Sequence, residues 1–427
     1  MSENNIQLEK FDNNEIVTFG CRLNIYESEV IRDNLARVGA ENTIVFNTCA
    51  VTSEAERQAR QAIRRARREN PDKKIIVTGC AAQINPKKYS DMPEVDVVLG
   101  NQEKLEQKNF ATNQGLSIEN TEKAVVNDIM ELKETALHMV ESYDGKTRAF
   151  LQVQNGCNHR CTFCIIPFGR GNNRSVPLGD IVEHTRKLVE KGFREIVITG
   201  VDITDYGLDL PGQPTLGELC KRLLKLVPDL ARIRLSSVDP AALDDTVFEL
   251  LENEPRFMPH LHISLQAGDD MVLKRMKRRH LRADVYKFVE RARKLRPDVV
   301  FGADIIAGFP TEDDAMFENT RALVEELGLT HLHVFPYSER EGTPAAKMPP
   351  VAKPVRKARA KVLREEGEKQ MQKFLQSRIG KVERILIESE NKGHTEHFVE
   401  VAISGYQAGE IVEAKIVGVE GRKLIAA

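Results

Sequence analysis

The chain has 427 residues, length for two or three domains, and 41% hydrophobic with 30% charged residues is the balance of an ordinary globular protein. A formal net charge of −2 excludes a globally basic nucleic-acid binder, so any RNA contact must rest on local patches. No apolar run approaches a bilayer-spanning length and the opening MSENNIQLEK has no signal-peptide core, so a cytoplasmic protein with no membrane contact is expected.

In chain order, EIVTFG (15–20) is predicted as a strand, followed by a helix carrying Val30, Ile31, Leu35 and Val38 that stops at Gly39. TIVFNT (43–48) is the next strand, after which Ser53 and Glu56 form a predicted capping box for a helix with Ala55, Ala59, Ala62 and Ala66 on one face. KIIVTG (74–79) and VDVVLG (95–100) complete four strands. Apolar strands alternating with amphipathic helices predict an α/β, doubly wound parallel sheet. Residues 101–147 lack a clear period and read as a connection with some extended structure.

The middle of the chain offers six strands: AFLQVQ (149–154), EIVITG (195–200), RIRLSS (232–237), HLHISLQ (260–266), VVFGADIIAG (299–308) and HLHVFP (331–336). Helical patterns at 180–191, 216–226, 241–252, 283–294 and 314–327 separate them. Six such units predict a partial (β/α)6 barrel with its site at the carboxyl ends of the strands, where Gly200, Asp202, Ser236, Ser237, Gln266 and Gly308 fall. A basic helix at about 355–376 leads to alternating segments with Val399, Val401 and Ile403 on one face and Val412, Ala414 and Ile416 on another. These predict a small antiparallel β-barrel.

Seven cysteines, an odd number, argue for metal binding or catalysis rather than a disulfide framework. Cys21, Cys49 and Cys80 each follow the last residue of a predicted strand. Thiols at equivalent strand ends can converge on one point although far apart in sequence; the competing reading is three core cysteines. Cys157, Cys161 and Cys164, in GCNHRCTFC, have C-x3-C-x2-C spacing in one loop after the first barrel strand. A cubane cluster takes four ligands, so three clustered thiolates leave one iron open to a cosubstrate. Structural zinc more often uses paired C-x2-C elements, and His159 is poorly placed as a fourth ligand inside the same tight loop.

This spacing at the head of a βα barrel resembles the radical S-adenosylmethionine (SAM) superfamily. The resemblance implies that the open iron chelates SAM and that reduction releases a 5′-deoxyadenosyl radical. With the dispersed N-terminal triplet and the C-terminal β module, nearly the whole chain is similar to the methylthiotransferases. The implied domains are 12–122, with Cys21, Cys49 and Cys80 on an auxiliary cluster; 143–372, the radical SAM core; and 375–427, a TRAM-like RNA-binding barrel. The segments NTCAVT, EAERQARQAIRRA, QNGCNHRCTFCIIPFGRGNNRS and HVFPYSEREGTPAAKM look like the branch that acts on threonylcarbamoyladenosine of tRNA. Two [4Fe-4S] clusters, SAM and a tRNA anticodon stem-loop are then the implied cofactors and partner, with isopentenyladenosine in tRNA or a ribosomal-protein aspartate as alternative substrates. ITGVDITDYG (198–207) stands where many relatives carry a Gly-Gly-Glu-like turn, which makes Gly200 and Asp202, with Ser237 and Gln266, the candidate SAM contacts.

Other residues have two readings each. Arg57, Arg60, Arg64, Arg67 and Arg68 form a helical stripe that either tracks phosphates or is a solvated face balanced by Glu54, Glu56 and Glu69. KRMKRRHLR (274–282) faces RNA or water. Cys220 and the histidines at 184, 260, 262, 331 and 333 read as structural, and Tyr206, Phe163 and Phe168 as packing or as a lining for adenine.

Overall fold

The computed structural model describes residues 6–111, 123–135 and 147–427. Two compact units emerge: one of residues 1–143, 155–174 and 338–343, the other of residues 144–154, 175–337 and 344–427. The expected boundaries at 122 and 143 lie outside the described residues.

The first unit holds a six-stranded sheet whose strands lie side by side in chain order: Ile6–Phe11, Asn14–Phe19, Thr43–Thr48, Lys74–Gly79, Val97–Leu99 and Ala124–Val125. The last five are parallel, as expected, but Ile6–Phe11 pairs antiparallel with Asn14–Phe19, so the sheet is mixed. Asp12 and Asn13 join these two strands with φ of 41° and 63°, the positive angles of a tight two-residue hairpin. The pattern of IQLEKF does not announce a strand, because this edge strand stays largely exposed and lacks a buried alternating face.

Helices cover both faces. From the helix Arg22–Arg37, Ile31 and Leu35 pack on Ile16, Val45 and Ile76. From Ser53–Glu69, Ala59 and Ile63 pack on Phe46, Val77 and Val98, with Ala55, Ala62 and Ala66 at the margin. The predicted cap needs correcting by one residue: Thr52 is the N-cap and accepts from the Ala55 amide at 3.1 Å, while Ser53 bonds Ser338. Glu56 is no cap partner either; its carboxylate takes Lys88 at 2.7 Å and Arg340.

In the second unit all six predicted barrel strands are present and parallel. Their order follows the chain: Arg148–Gln152, Glu195–Thr199, Arg232–Val238 in two pieces, His260–Gln266, Val300–Ala307 and His331–Pro336. The third strand breaks at Ser236, with Arg232–Leu235 pairing back to Glu195–Ile198 and Ser237–Val238 pairing forward to His262–Ile263. The helix Lys353–Gln376 precedes a closed five-stranded barrel whose core includes Ile385, Ile387, Val399, Val401, Ile403, Ala414, Ile416 and Leu424. That barrel is not wholly antiparallel: Glu400–Ala402 and Lys423–Ala426 pair in parallel, because the last strand crosses over to close the ring.

Candidate functional site

The first unit contains both cysteine triplets. Cys21 caps the helix Arg22–Arg37, Cys49 follows Thr43–Thr48 and Cys80 opens the helix Cys80–Ile84. Since the three preceding strands are sheet neighbours spaced about 4.8 Å apart, their ends fall within about 10 Å of one another. Two glycines permit the approach. A β-carbon on Gly20 would lie 2.8 Å from the Cys49 sulfur, and one on Gly79, at φ +96°, would lie 2.3 Å from the Thr48 carbonyl oxygen. Cys21 is exposed, whereas Cys49 and Cys80 are buried. Burial, and then the neighbouring thiols of Cys21 and Cys80, push Cys49 up to about 12. Such a thiol ionises only when positive charge is supplied beside it, as a bound metal does.

Positive charge is built in beneath the thiols. Arg170, 2% exposed, donates to the Cys80 sulfur at 3.1 Å, to Asn24 Oδ1 at 2.6 Å and to both carboxylate oxygens of Glu27. Lys104, with no exposed surface, donates to Glu27 at 2.6 Å and to Asn47 Oδ1 at 3.2 Å. Burial alone would raise the Glu27 carboxyl, but Arg170 and Lys104 hold it below its ordinary range. The group carries two cations against one carboxylate, an excess of one positive charge beside the thiol of Cys80. Asn101 adds a donor 3.8 Å from the Cys80 sulfur and is itself anchored on the Gly169 carbonyl. Sequence reasoning missed Glu27, Arg170 and Lys104. The available signal was a charged residue at 27 within the apolar helical pattern LNIYESEVI, and an arginine closing IIPFGR just after the second triplet.

That second triplet lies in an irregular loop, all three cysteines half-buried. The Cys157 amide donates to the Gly171 carbonyl and the Cys164 amide to the Cys161 carbonyl. Arg160 ties the loop together through the carbonyls of Cys157 and His159 and through Asn172 Oδ1. A β-carbon on Gly156 would lie 1.8 Å from the Asn172 carbonyl oxygen, so only glycine lets the loop leave its strand there. Three thiols held in one short loop by backbone bonds are a donor set that could hold a cubane cluster with one position left open.

In the second unit the remaining candidates lie at strand ends, as expected. Gly200 follows Glu195–Thr199, and the side chain of Gln154 accepts from the amides of Val201 and Asp202, both at 2.9 Å. A β-carbon on Gly200 would lie 2.7 Å from that same Gln154 oxygen. Asp202 accepts from Thr204 at 2.6 Å. Ser237 begins the second piece of its strand, and Gln266 ends His260–Gln266 at φ +71°, an uncommon conformation for a residue with a side chain.

The basic stretches are mostly engaged in structure. Arg67 donates to Asp96 and to the carbonyls of Pro71, Lys73 and Glu94, Arg57 pairs with Glu54, and Arg60 and Arg64 lie 3.7 and 3.8 Å from Glu56 and Glu94. Along 274–282, Arg278 and Arg279 hold Asp239, Arg275 reaches the Thr311 carbonyl, and Arg282 reaches Glu326. In each run, then, several of the arginines are tied to carboxylates or carbonyls of the fold itself. His262 and His333 both bond Asp304, at 3.1 and 3.0 Å, as structural histidines would. His184 is buried with no hydrogen-bond partner for either ring nitrogen among the described residues, and burial drives it down to about 4, so it packs as a neutral ring. Cys220 is fully buried in core, Tyr206 is buried with its hydroxyl on the Val176 carbonyl, and Phe168 is 52% exposed.

Residues 151–324 match the Radical SAM superfamily, and residues 13–100 match Uncharacterized protein family UPF0004. The chain is 60% identical to the threonylcarbamoyladenosine tRNA methylthiotransferase MtaB of Rickettsia prowazekii, over 95% of each chain. It is 35% identical to that of Aquifex aeolicus, over 93% of this chain and 98% of the other. The tRNA-2-methylthio-N(6)-dimethylallyladenosine synthase of Oceanobacillus iheyensis is 32% identical over 94% of this chain and 81% of its own length. Among solved structures, the radical S-adenosylmethionine methyltransferase TsrM of Kitasatospora setae superposes with a TM-score of 0.54 at 16% identity, over 76% of this chain and 68% of that one. That last likeness is one of fold.

Proposed function

This chain belongs to the radical SAM methylthiotransferase family, in the branch of the MtaB enzymes, and from that membership we propose that it replaces the C2 hydrogen of N6-threonylcarbamoyladenosine at position 37 of tRNA by a methylthio group. The family implies a [4Fe-4S] cluster and SAM. The finer assignment is two clusters, one held by Cys157, Cys161 and Cys164 and the other by Cys21, Cys49 and Cys80. When bound, the first cluster supplies the electron that cleaves SAM to a 5′-deoxyadenosyl radical, while a second SAM provides the methyl group. A C2–H bond resists acid–base chemistry at neutral pH, so a radical is the suitable tool and no general base is assigned.

The chain's own residues do the holding. The loop around Cys157 presents three thiols and leaves one coordination site for SAM; Gly200, Asp202, Ser237 and Gln266 are the proposed SAM contacts. Arg170 and Lys104 offset the negative charge that three thiolates bring to the auxiliary site. The substrate is the anticodon stem-loop of a tRNA, whose bases can splay into a pocket, and the enzyme is proposed to act in the cytoplasm. The observation that carries the reading is the two thiol triplets, one in a single loop and one on three adjacent strand ends beside a buried cationic excess. Sulfur donor and reductant are left unassigned.

Anaerobic reconstitution tests it. About eight irons per chain are expected for two cubane clusters, with SAM cleavage under reductant and methylthiolation of a stem-loop carrying threonylcarbamoyladenosine but not of one carrying isopentenyladenosine. Zinc alone with no SAM cleavage, or product only on the isopentenyl substrate, would overturn the assignment.

A further inference from the structure

The C-terminal β-barrel is joined to the six-stranded barrel by more than its linker. Arg232 donates to the carbonyls of His394 and Arg384 at 3.3 and 2.8 Å, and Arg234 to the Glu396 carbonyl at 2.9 Å. Both arginines are fully buried, and Arg234 also bonds Glu195 at 2.7 Å. Arg148 pairs with Glu388 at 2.6 Å, and His397 bonds Asp298 at 3.1 Å. Each of these partners on the larger barrel stands at or near the amino-terminal start of its strand, the end opposite Gly200, Asp202 and Gln266.

At the centre of this contact is one aromatic side chain. The Phe398 ring lies 5.1 Å from the Arg148 guanidinium, 5.0 Å from that of Arg234, 5.4 Å from the His260 ring and 6.3 Å from the His331 ring. Those residues come from the first, third, fourth and sixth strands. With contacts drawn from four of the six strands, the half-buried ring lies across the amino-terminal end of the barrel. Phe398 also adopts φ +65°, a conformation costly for a bulky residue and retained where the surroundings impose it. Within its own small barrel the ring lies 5.6 Å from the His394 ring and takes no part in the apolar core cluster.

We propose that Phe398 plugs the amino-terminal mouth of the six-stranded barrel, so that the C-terminal module completes the reaction chamber as its floor in addition to any contact with RNA. A barrel of six strands is open, and closing its far end keeps water and reductant from a radical held at the other end. The role rests on the radical reading given above, and it makes Phe398 a positioning residue that touches no reacting atom.

The decisive variant is Phe398→Gly, which removes the ring while glycine takes the left-handed backbone without strain. Hydrogen exchange at the imidazole C2 positions of His260 and His331, followed by mass spectrometry on the full chain, reports solvent entry without needing turnover. Exchange at both is expected to quicken by about tenfold or more in the variant, with stem-loop affinity within twofold of wild type. In turnover, 5′-deoxyadenosine formed per methylthio product should rise several-fold. Phe398→Leu, apolar but smaller, should fall between the two in both readouts and serves if the glycine variant does not fold. Unchanged histidine exchange in either folded variant refutes the plug, and faster exchange with unchanged coupling refutes the sealing role. If the wild type cleaves no SAM at all, the radical reading fails instead, and the exchange experiment still decides whether Phe398 closes the barrel.

Discussion

Glu27, Arg170 and Lys104 form a buried charge network whose disruption has a size that can be worked out in advance. Replacing Glu27 by Gln leaves two cations, 2% and 0% exposed, with no carboxylate between them. Breaking a buried pair from one side typically costs about 3–5 kcal/mol, and with both cations stranded the upper end applies, about 5 kcal/mol. Replacing Arg170 by Met removes its donors to Glu27, Asn24 and Cys80, but Lys104 still compensates Glu27. The lower end applies there, about 3 kcal/mol. For a unit of this size, roughly 2–4 °C of melting temperature is lost per kcal/mol, so the transition of the N-terminal unit should fall by about 6–12 °C in Arg170→Met and further in Glu27→Gln. The double variant should be less damaged than the sum of the two, since each single change harms the pair they share. Calorimetry under anaerobic conditions reads the shifts, and iron content reads the consequence for the site. Loss of the cation beside Cys80 should lower iron from about eight toward about four per chain. If Arg170→Met melted and bound iron like the wild type, or proved worse than Glu27→Gln, the electrostatic account of the auxiliary site would be wrong.

Three further outcomes are expected. Ala at Cys157, Cys161 or Cys164 should abolish SAM cleavage, whereas Ala at Cys21, Cys49 or Cys80 should leave some cleavage and stop thiolation; 5′-deoxyadenosine and product are quantified side by side, and identical behaviour of the two sets contradicts their division of labour. Gly79→Ala puts a methyl group 2.3 Å from the Thr48 carbonyl oxygen at φ +96°, and overpacking with backbone strain should cost about 3 kcal/mol and lower auxiliary iron, checked by denaturant melting and metal analysis. Burial would raise the Glu195 carboxyl, yet Arg234 beside it holds it at about 2. A carboxyl depressed in the folded state stabilises above its unfolded value of about 4.3, so its share, about 3 kcal/mol, should vanish as pH falls from about 4.3 to 2. Glu195→Gln should flatten that part of the acid-unfolding curve.

Much of this architecture was legible because periodicity and punctuation agreed. The six barrel strands and the alternating cores around Val401 and Ala414 are regular patterns that burial enforces. The cysteines were legible for a different reason: each follows an apolar strand in the order of residues alone, and strand neighbours must then bring them together. What escaped depends on contacts between distant residues. Arg170 and Glu27 are 143 positions apart, and nothing local marks either as half of a buried pair. The arginine stripe after Thr52 and the run at 274–282 carried two readings each, since composition shows the charges but not the carboxylates and carbonyls that take some of them up. Phe398 escaped too, because a single aromatic in a turn gives no sign that it faces another barrel.

The central claim is the identity of the modified adenosine, and mass spectrometry of tRNA nucleosides from a strain lacking this gene tests it most directly. The methylthio form of threonylcarbamoyladenosine should disappear and the unthiolated nucleoside accumulate, while methylthio-isopentenyladenosine stays unchanged. Persistence of the methylthio group on threonylcarbamoyladenosine, in a strain with no second copy of the enzyme, would contradict the account.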